Sequence, residues 1–145
     1  MDIDNGILSH QHEAVVSLSK VYKKVYVLTG RIGRVQVPDN VEIRSMNWLE
    51  DGPILSNLKN FYFEFIRFYR KNRFSLIFSH MTEKHAALIA PLTRFLKIRH
   101  FLWYAHAKNN LSLQICHFFL NGIITSTKNS CPIKSRKIFP IGQAI

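Results

Sequence analysis

Short apolar runs alternate along this chain with longer segments in which apolar residues recur at helical spacing. The short runs are rich in β-branched and aromatic residues and predict six strands, at residues 25–29, 41–46, 74–79, 100–104, 122–126 and 137–141. The longer segments predict four helices, at residues 11–21, 53–71, 82–96 and 110–120. Helices and strands that alternate in this way are typical of an α/β domain with a mainly parallel sheet.

Several of the predicted strands are continuous apolar runs, which is the pattern of parallel strands covered on both faces. We therefore expect one Rossmann-like domain of 145 residues, with helices on both faces of its sheet. A domain of this kind normally opens on a buried strand, whereas the first helix here follows the acidic segment MDIDNG. We therefore expect the fold to be incomplete, without its first strand.

The positive charge of the chain is concentrated in its second half. Residues 1–83 contain eleven Lys and Arg against nine Asp and Glu, whereas residues 84–145 contain nine Lys and Arg and no acidic residue. The formal net charge of the whole chain is +11. Such asymmetry indicates an anionic partner, which is a nucleic acid, an anionic membrane surface or an acidic companion domain.

Composition excludes several classes of protein. With 47% hydrophobic and 20% charged residues, the chain has the balance of a globular protein rather than that of a disordered one. It contains no run of about 18 apolar residues that could span a bilayer, and its N-terminal segment lacks the apolar core of a signal peptide. Cys116 and Cys131 are too few for a disulfide scaffold, so we expect reduced thiols in a cytoplasmic protein.

The seven histidines do not have the spacing of metal ligands. His10 and His12 are two residues apart, and His80 and His85 are five apart, so neither pair presents two ligands on one helical face. No pair of neighbouring cysteines accompanies them. The sequence therefore predicts no metal site.

One predicted helix interleaves aromatic and basic side chains. Residues 60–74 read NFYFEFIRFYRKNRF, and the cations considered are Arg67, Arg70, Lys71 and Arg73. Such a helix suits an anionic membrane surface, and the same interleaving suits single-stranded nucleic acid. The alternative is a core helix whose outer face is basic. These four cations are the candidate membrane-surface residues.

Several polar residues stand where parallel sheets collect their ligands, at the carboxyl ends of strands. Asn5 and Gly6 precede the first helix, where backbone N–H groups bind phosphate, although an Asn-Gly pair is also a common turn. His80 and His106 each end a strand and can bond a hydroxyl group or polarise an oxygen of a ligand, the alternative being a structural histidine. Ser126 ends the next strand, where its hydroxyl can bond a ligand or cap the following turn.

Four segments, taken in order, resemble the amino-terminal domain of family 4 glycosyltransferases, which have the GT-B fold. They are DIDNGILSH with the strand VYVLT, then LIFSHM, then LWYAH, and finally GIITS with KIFPIG. The resemblance covers nearly the whole chain and depends on the order and spacing of the segments. The departures are a lone Gly6 where the family often has two glycines, the absence of a second glycine after Gly142, and the absence of the donor-binding domain with its paired glutamates.

The resemblance implies a retaining glycosyltransferase that moves a hexose from a nucleotide sugar to a lipid-linked or polysaccharide acceptor. The nucleotide sugar is a co-substrate, and no metal or other cofactor takes part. The resemblance implies that His106 is catalytic, that His80 and Ser126 contact the acceptor, and that Asn5 and Gly6 contact the donor phosphate. The chain would be the acceptor-side half of an enzyme at the cytoplasmic face of the inner membrane, inactive without its missing C-terminal donor-binding domain.

The charge of the chain also fits a different function. A small basic α/β module could bind nucleic acid or an anionic membrane without catalysing a reaction. The sequence has no helix-turn-helix, RNA-recognition or zinc-finger signature. Nucleic acid is therefore the less favoured of these two partners.

Overall fold

A computed structural model describes residues 9–49 and 51–142 of the chain. These residues form four helices and six strands in the predicted order. The elements are α1 (Ser9–Val21), β1 (Val25–Thr29), β2 (Val41–Ser45), α2 (Ile54–Asn72), β3 (Leu76–His80), α3 (Glu83–Phe95), β4 (Arg99–Trp103), α4 (Leu111–Phe119), β5 (Gly122–Thr125) and β6 (Ile138–Pro140). All paired strands are parallel, so the predicted Rossmann-like α/β fold is confirmed.

The chain divides into two compact units, Met1–Arg73 and Phe74–Ile145. In the first unit β1 and β2 form a two-stranded parallel sheet, in which Val25 pairs with Val41. Helices α1 and α2 both contact β1. Every residue of the two strands is only half-buried, so the apolar interior of this unit depends on its helices.

Helix α2 supplies most of the buried aromatic side chains of the first unit. Phe61, Phe65 and Phe68 recur at helical spacing and are buried, as expected for the core-facing stripe of an amphipathic helix. The ring of Phe68 lies 5.4 Å from the ring of Tyr26 in β1, measured between centroids. The helix ends at Arg73, which has a left-handed conformation with φ 46° and donates its N–H back to the last turn.

The second unit contains a four-stranded parallel sheet in the order β3–β4–β5–β6. Each strand lies beside its predecessor, and crossovers between parallel strands are right-handed, so α3 and α4 lie on the same face. The two helices pack against each other. His80 at the end of β3 pairs with Trp103 at the end of β4, which in turn pairs with Ile124 of β5. The carboxyl ends of these strands therefore meet at one edge of the sheet.

The main hydrophobic core lies between this sheet and its two helices. Leu102 of β4 and Tyr104 directly after it are fully buried there, together with side chains from α3 and α4. Buried residues in β4 alternate with half-buried ones. The apolar sequence of β4 predicted that both faces of the strand are buried, but only one face is buried.

Candidate functional site

The carboxyl edge of the four-stranded sheet collects three residues that the sequence analysis selected. His80 is the last residue of β3, and His106 follows the end of β4 at Trp103 by three residues. Ser126 comes directly after β5. Because β3, β4 and β5 are parallel neighbours in this order, the three residues lie at the same edge. We call His80, His106 and Ser126 the carboxyl-edge site.

His80 is packed against the neighbouring strand through its ring. The imidazole is parallel to the indole of Trp103, with an interplanar angle of 5° and 6.4 Å between centroids. The next residue, Met81, has φ 54° and donates its N–H to the carbonyl oxygen of Trp103 at 3.0 Å. A left-handed conformation is strained in a residue other than glycine. Here the strained residue directly follows His80, at the point where the strand ends.

His106 lies in the loop between β4 and α4 and is exposed. Its ring meets the ring of Tyr104 edge to face, at 5.5 Å and 77°. Tyr104 is 1% exposed and donates its hydroxyl hydrogen to the carbonyl oxygen of Lys108. Burial raises the pKa of Tyr104, so the hydroxyl keeps the hydrogen that it donates. This hydrogen bond anchors the loop to the buried Tyr104 on both sides of His106. The imidazole of His106 is therefore exposed to solvent but held in a restrained loop.

Ser126 is buried, and its polar groups already have partners. Its hydroxyl donates to Oγ of Ser130 at 2.9 Å, and its carbonyl oxygen accepts the N–H of Gly142 at 3.0 Å. The residue therefore closes the turn after β5 and links this turn to the segment after β6. Stabilising the following turn, the simpler of the two expected roles, accounts for these contacts.

The predicted donor-phosphate residues, Asn5 and Gly6, lie outside the described residues. Within residues 9–49 and 51–142, no group of three His, Cys, Asp or Glu side chains is arranged to hold a metal ion. In the same part of the chain, no helix is both long and apolar enough to cross a membrane.

Two of the predicted membrane-surface cations of α2 are paired with carboxylates. The ammonium of Lys71 lies 3.2 Å from the carboxylate of Glu42, and the guanidinium of Arg67 lies 3.9 Å from that of Glu64. Arg44 also lies 3.2 Å from Glu42. The hydrogen bond from Lys71 lowers the pKa of the Glu42 carboxyl group. These cations are therefore partly neutralised by acids of their own unit.

The face of α2 that carries these cations also exposes apolar side chains. Arg70 is exposed, and it lines a shallow hollow together with Phe63, Ile66, Arg67 and Lys71. The side chains of Phe63 and Ile66 are 61% and 44% exposed. The guanidinium of Arg73 lies over the ring of Tyr69, 5.2 Å from its centroid. This face combines uncovered apolar side chains with three cations, which differs from the purely basic outer face of a core helix.

A buried hydrogen-bonded histidine in the second unit is not revealed by any sequence motif. His100 is 1% exposed, its Nε2 lies 2.8 Å from Oγ of Ser79, and its Nδ1 lies 3.3 Å from Oγ1 of Thr93. Burial lowers the pKa of His100 to about 4. The imidazole is therefore neutral near pH 7 and links α3 to two strands. Its one signal in the sequence is a polar residue within an apolar strand.

Lys137 is a second residue whose role depends on distant contacts. Its ammonium donates to the carbonyl oxygens of His117, Phe118 and Leu120, at 3.0, 3.1 and 3.0 Å. Carbonyls at the end of a helix have no partner within it, and a cation there interacts favourably with the helix dipole. Lys137 therefore caps α4, and no local pattern could identify a partner about twenty residues away.

The two cysteines, Cys116 and Cys131, are free and buried. Burial raises the pKa of Cys116 to about 12. Because the thiolate is the nucleophilic form, Cys116 is not a candidate nucleophile.

The carboxyl-edge site therefore offers two imidazoles, one accessible and one stacked on an indole, beside a serine whose hydroxyl already has a partner. Imidazoles can bond hydroxyl groups and exchange protons with them. Comparison of the chain with protein-family models, curated proteins and solved structures finds no match.

Proposed function

We propose that this chain is the acceptor-side half of a retaining glycosyltransferase with the GT-B fold, as its resemblance to family 4 implies. The enzyme moves a hexose from a nucleotide sugar to a lipid-linked or polysaccharide acceptor at the cytoplasmic face of the membrane. The main support is that His80 and His106 lie at the carboxyl edge of one parallel sheet, the edge at which such domains bind ligands. Ser126 and, outside the described residues, Asn5 and Gly6 belong to the same proposed site.

His106 is the proposed catalytic residue because its imidazole is exposed while its loop is anchored. The acceptor oxygen bonds to the anomeric carbon on the face from which the nucleoside diphosphate leaves, as retention requires. The proton of the acceptor hydroxyl passes to the imidazole as the bond to the diphosphate oxygen breaks. Proton transfer of this kind is the usual work of a catalytic histidine. Tyr104 is a positioning residue in this proposal, because its hydrogen bond to Lys108 restrains the loop before the acceptor binds.

His80 is proposed to orient the acceptor. Its ring is held parallel to that of Trp103, so a polar group of defined orientation stands beside an apolar surface. Small-ligand sites are commonly built from such a combination. Ser126 contributes mainly by keeping the neighbouring turn closed.

Attachment to an anionic membrane is part of the same proposal. Phe63 and Ile66 are exposed on α2 beside Arg70. An exposed helical face that combines apolar and basic side chains suits the headgroup region of an anionic bilayer. Such attachment fits an enzyme whose acceptor is linked to a lipid.

Acceptor binding and turnover are tested separately on the purified chain. With labelled nucleotide hexoses and membrane lipid acceptors we expect no turnover, because catalysis requires both reactants in one closed site. Binding of a lipid-linked oligosaccharide in micelles is expected, and His106→Ala should weaken it about tenfold through loss of a hydrogen bond to the acceptor. Asn109→Ala, in the same exposed loop, is the matched control and should leave binding unchanged.

In an enzyme that also carries the donor-binding domain, His106→Ala should lower transfer about 10²-fold with the fold intact. Turnover by the present chain alone would contradict the two-domain proposal. Acceptor binding that is indifferent to His106→Ala would contradict the proposed role of the carboxyl-edge site.

A second function, binding without catalysis, is favoured by the charge of the second unit. Residues 74–145 contain nine Lys and Arg and a single acidic residue, Glu83. Sedimentation with anionic or neutral vesicles measures membrane binding, and filter binding of single-stranded RNA measures nucleic-acid binding. The two assays together show which of these partners the chain prefers. Membrane binding should weaken between about 0.1 M and 1 M salt, as the Debye length falls from about 10 Å to about 3 Å. Equal retention on neutral vesicles contradicts membrane attachment, whereas tight RNA binding without acceptor binding favours a nucleic-acid module.

A further inference from the structure

A hollow of about 410 Å³ lies at the amino edge of the four-stranded sheet, opposite to the carboxyl-edge site. It is lined by Arg94, Lys97, Ile98, Arg99 and Asn121, and we call it the amino-edge hollow. Arg94 lies in the last turn of α3, Arg99 opens β4 and Asn121 precedes β5. The lining residues thus come together from three separate elements.

Backbone hydrogen bonds fix the frame of the amino-edge hollow. Ile98 is 5% exposed and donates its N–H to the last turn of α3 at 2.9 Å, and Arg99 donates its N–H to the carbonyl oxygen of Ser75 at 3.0 Å. Asn121 is bonded to His100 twice, at 2.9 Å through its Oδ1 and at 3.0 Å through its own N–H. A frame that is ordered before binding lowers the entropic cost of taking up a ligand.

Among the residues that the structure describes, none of the three cations of the amino-edge hollow forms an ion pair with a carboxylate. The chain has no Asp or Glu after Glu83, and Glu83 lies in the first turn of α3, at the helix end away from the hollow. The side chains of Arg94, Lys97 and Arg99 are all exposed, so an anion in solution can reach them.

The helix dipole of α3 accounts for only part of this charge. Cations are favoured at the carboxyl end of a helix, which suits Arg94 and Lys97. Lys137, at the end of α4, donates its ammonium hydrogens to three carbonyl oxygens, whereas the side chains of Arg94 and Lys97 make no such bond to a described residue. Arg99 begins β4 and is not part of a helix. Lys97 also has φ 56°, at a position after the helix that favours glycine because glycine has no Cβ.

We propose that the amino-edge hollow binds a ligand through a phosphate or diphosphate group. The guanidinium groups of Arg94 and Arg99 can each donate two hydrogen bonds to phosphate oxygens, and Lys97 adds a third positive charge. A multiply charged phosphate matches three uncompensated cations better than a singly charged carboxylate does. The hollow is separate from the carboxyl-edge site, so the proposal does not depend on glycosyl transfer. A free diphosphate compound and the headgroup of phosphatidic acid offer the same chemistry.

Inorganic pyrophosphate is the probe for a free ligand. Titration calorimetry of the purified chain at neutral pH and low salt should show saturable binding. The triple variant Arg94→Gln, Lys97→Gln, Arg99→Gln should weaken this binding at least about tenfold, because it removes the charge-assisted hydrogen bonds. Circular dichroism verifies folding of the triple variant. If it does not fold, Arg99→Gln alone is measured and should weaken binding at least about threefold.

The matched control is the triple variant Lys84→Gln, Lys108→Gln, Lys128→Gln. It removes the same number of exposed positive charges from the same unit, outside the hollow. Binding should change less than about threefold, because only the diffuse field of the unit is altered. Equal weakening in the two triple variants overturns the proposal, since it would reflect net charge alone.

Vesicles that contain phosphatidic acid distinguish the two sources of phosphate. A lipid headgroup is identified if the chain sediments with these vesicles, if added pyrophosphate reduces this sedimentation, and if the triple variant of Arg94, Lys97 and Arg99 does not sediment with them. Binding of pyrophosphate without vesicle binding identifies a free phosphate compound, and both results support the proposal. Failure of the unmodified chain to bind either probe overturns it. Binding of single-stranded RNA through the same three cations, undisplaced by pyrophosphate, overturns it in favour of a nucleic-acid surface.

Discussion

The two units of this chain differ in whether their cations are paired with carboxylates. In the first unit, Glu42 lies 3.2 Å from both Arg44 and Lys71, and Glu64 lies 3.9 Å from Arg67. In the second unit, nine Lys and Arg accompany one acidic residue. Cations that are paired within a fold are less available to a ligand than cations that are not. The second unit is therefore the better candidate for binding anions.

The units also differ in how deeply their strands are buried. The strand residues of the first unit are all half-buried, whereas Leu102 and Ile123 of the second unit are 0% exposed. Burial of apolar area is the main favourable term in folding. A unit with a well-buried core can therefore carry unpaired surface cations in spite of their repulsion. Each unit contains one tryptophan, Trp48 or Trp103, so each unit can be followed by fluorescence when the tryptophan of the other is replaced by Phe.

The largest difference should appear when one leucine of each unit is truncated. Leu102→Ala removes a fully buried side chain and should cost roughly 2–5 kcal/mol in the free energy of unfolding of the second unit. Leu28→Ala in half-buried β1 should cost roughly half as much in the first, because less apolar area is lost. Urea unfolding followed by Trp103 and Trp48 fluorescence measures both. Equal costs would show that the cores are equivalent and remove the contrast in burial.

Acid should weaken the second unit more than the first, through His100. Its pKa is about 4 in the folded protein and about 6.5 in an unfolded chain. The unfolded state therefore binds a proton first as the pH falls. The contribution is complete above about pH 6.5 and is lost between about pH 6.5 and 4, by roughly 3 kcal/mol in all.

Urea unfolding at a series of pH values measures this loss. The loss of unfolding free energy should appear in Trp103 fluorescence and not in Trp48 fluorescence. His100→Gln should make the free energy of unfolding of the second unit less dependent on pH. A profile that is the same for His100→Gln and the unmodified chain would assign the acid sensitivity to other groups.

A smaller effect is expected from the cap of α4. Asn110 accepts the N–H of Leu113 at 2.8 Å through its side chain, whereas α2 in the first unit begins at Pro53 without a side-chain cap. Asn110→Ala should therefore destabilise the second unit by about 1 kcal/mol. Asn109→Ala, next to it, is the control and should cost less than about 0.5 kcal/mol. Similar losses for the two variants would mean that the cap adds no specific stability.

The smallest change in stability should come from removing a carboxylate of the first unit, so that its cations are left unpaired. Glu42→Gln releases Lys71 and Arg44 from a partly exposed ion pair, so the free energy of unfolding should change by less than about 1 kcal/mol. Binding to anionic vesicles should nevertheless increase, because the released cations can face lipid phosphates. Asp51→Asn, at an exposed site, is the control for net charge. An equal increase for both variants would show that pairing does not limit the cations of α2.

Much of the local structure follows from the sequence because it depends on near neighbours. Apolar spacing at periods of 3.6 and 2 residues located the helices and strands, with ends displaced by no more than two residues. Pro91 lies inside α3 without ending it, as the apolar pattern around it predicts. The alternation of elements also implied parallel pairing, because successive parallel strands need a long crossover.

The candidate site was only partly predictable. The sequence placed His80 and His106 after strands, and parallel pairing brings such residues to one edge. It did not show that the hydroxyl of Ser126 is occupied by Ser130, nor that Tyr104 anchors the loop of His106. These contacts depend on the path of loops, for which the sequence has no repeating pattern.

The sequence by itself determined the order of elements, the parallel sheet and the excess of positive charge in the second unit, because composition and periodicity are properties of the chain. Only the tertiary structure decided which charged and polar groups are available. It buried His100, used Lys137 to cap α4, and left Arg94, Lys97 and Arg99 around one hollow. The physical reason is that desolvation and pairing depend on groups that are distant in sequence and become neighbours only when the sheet forms.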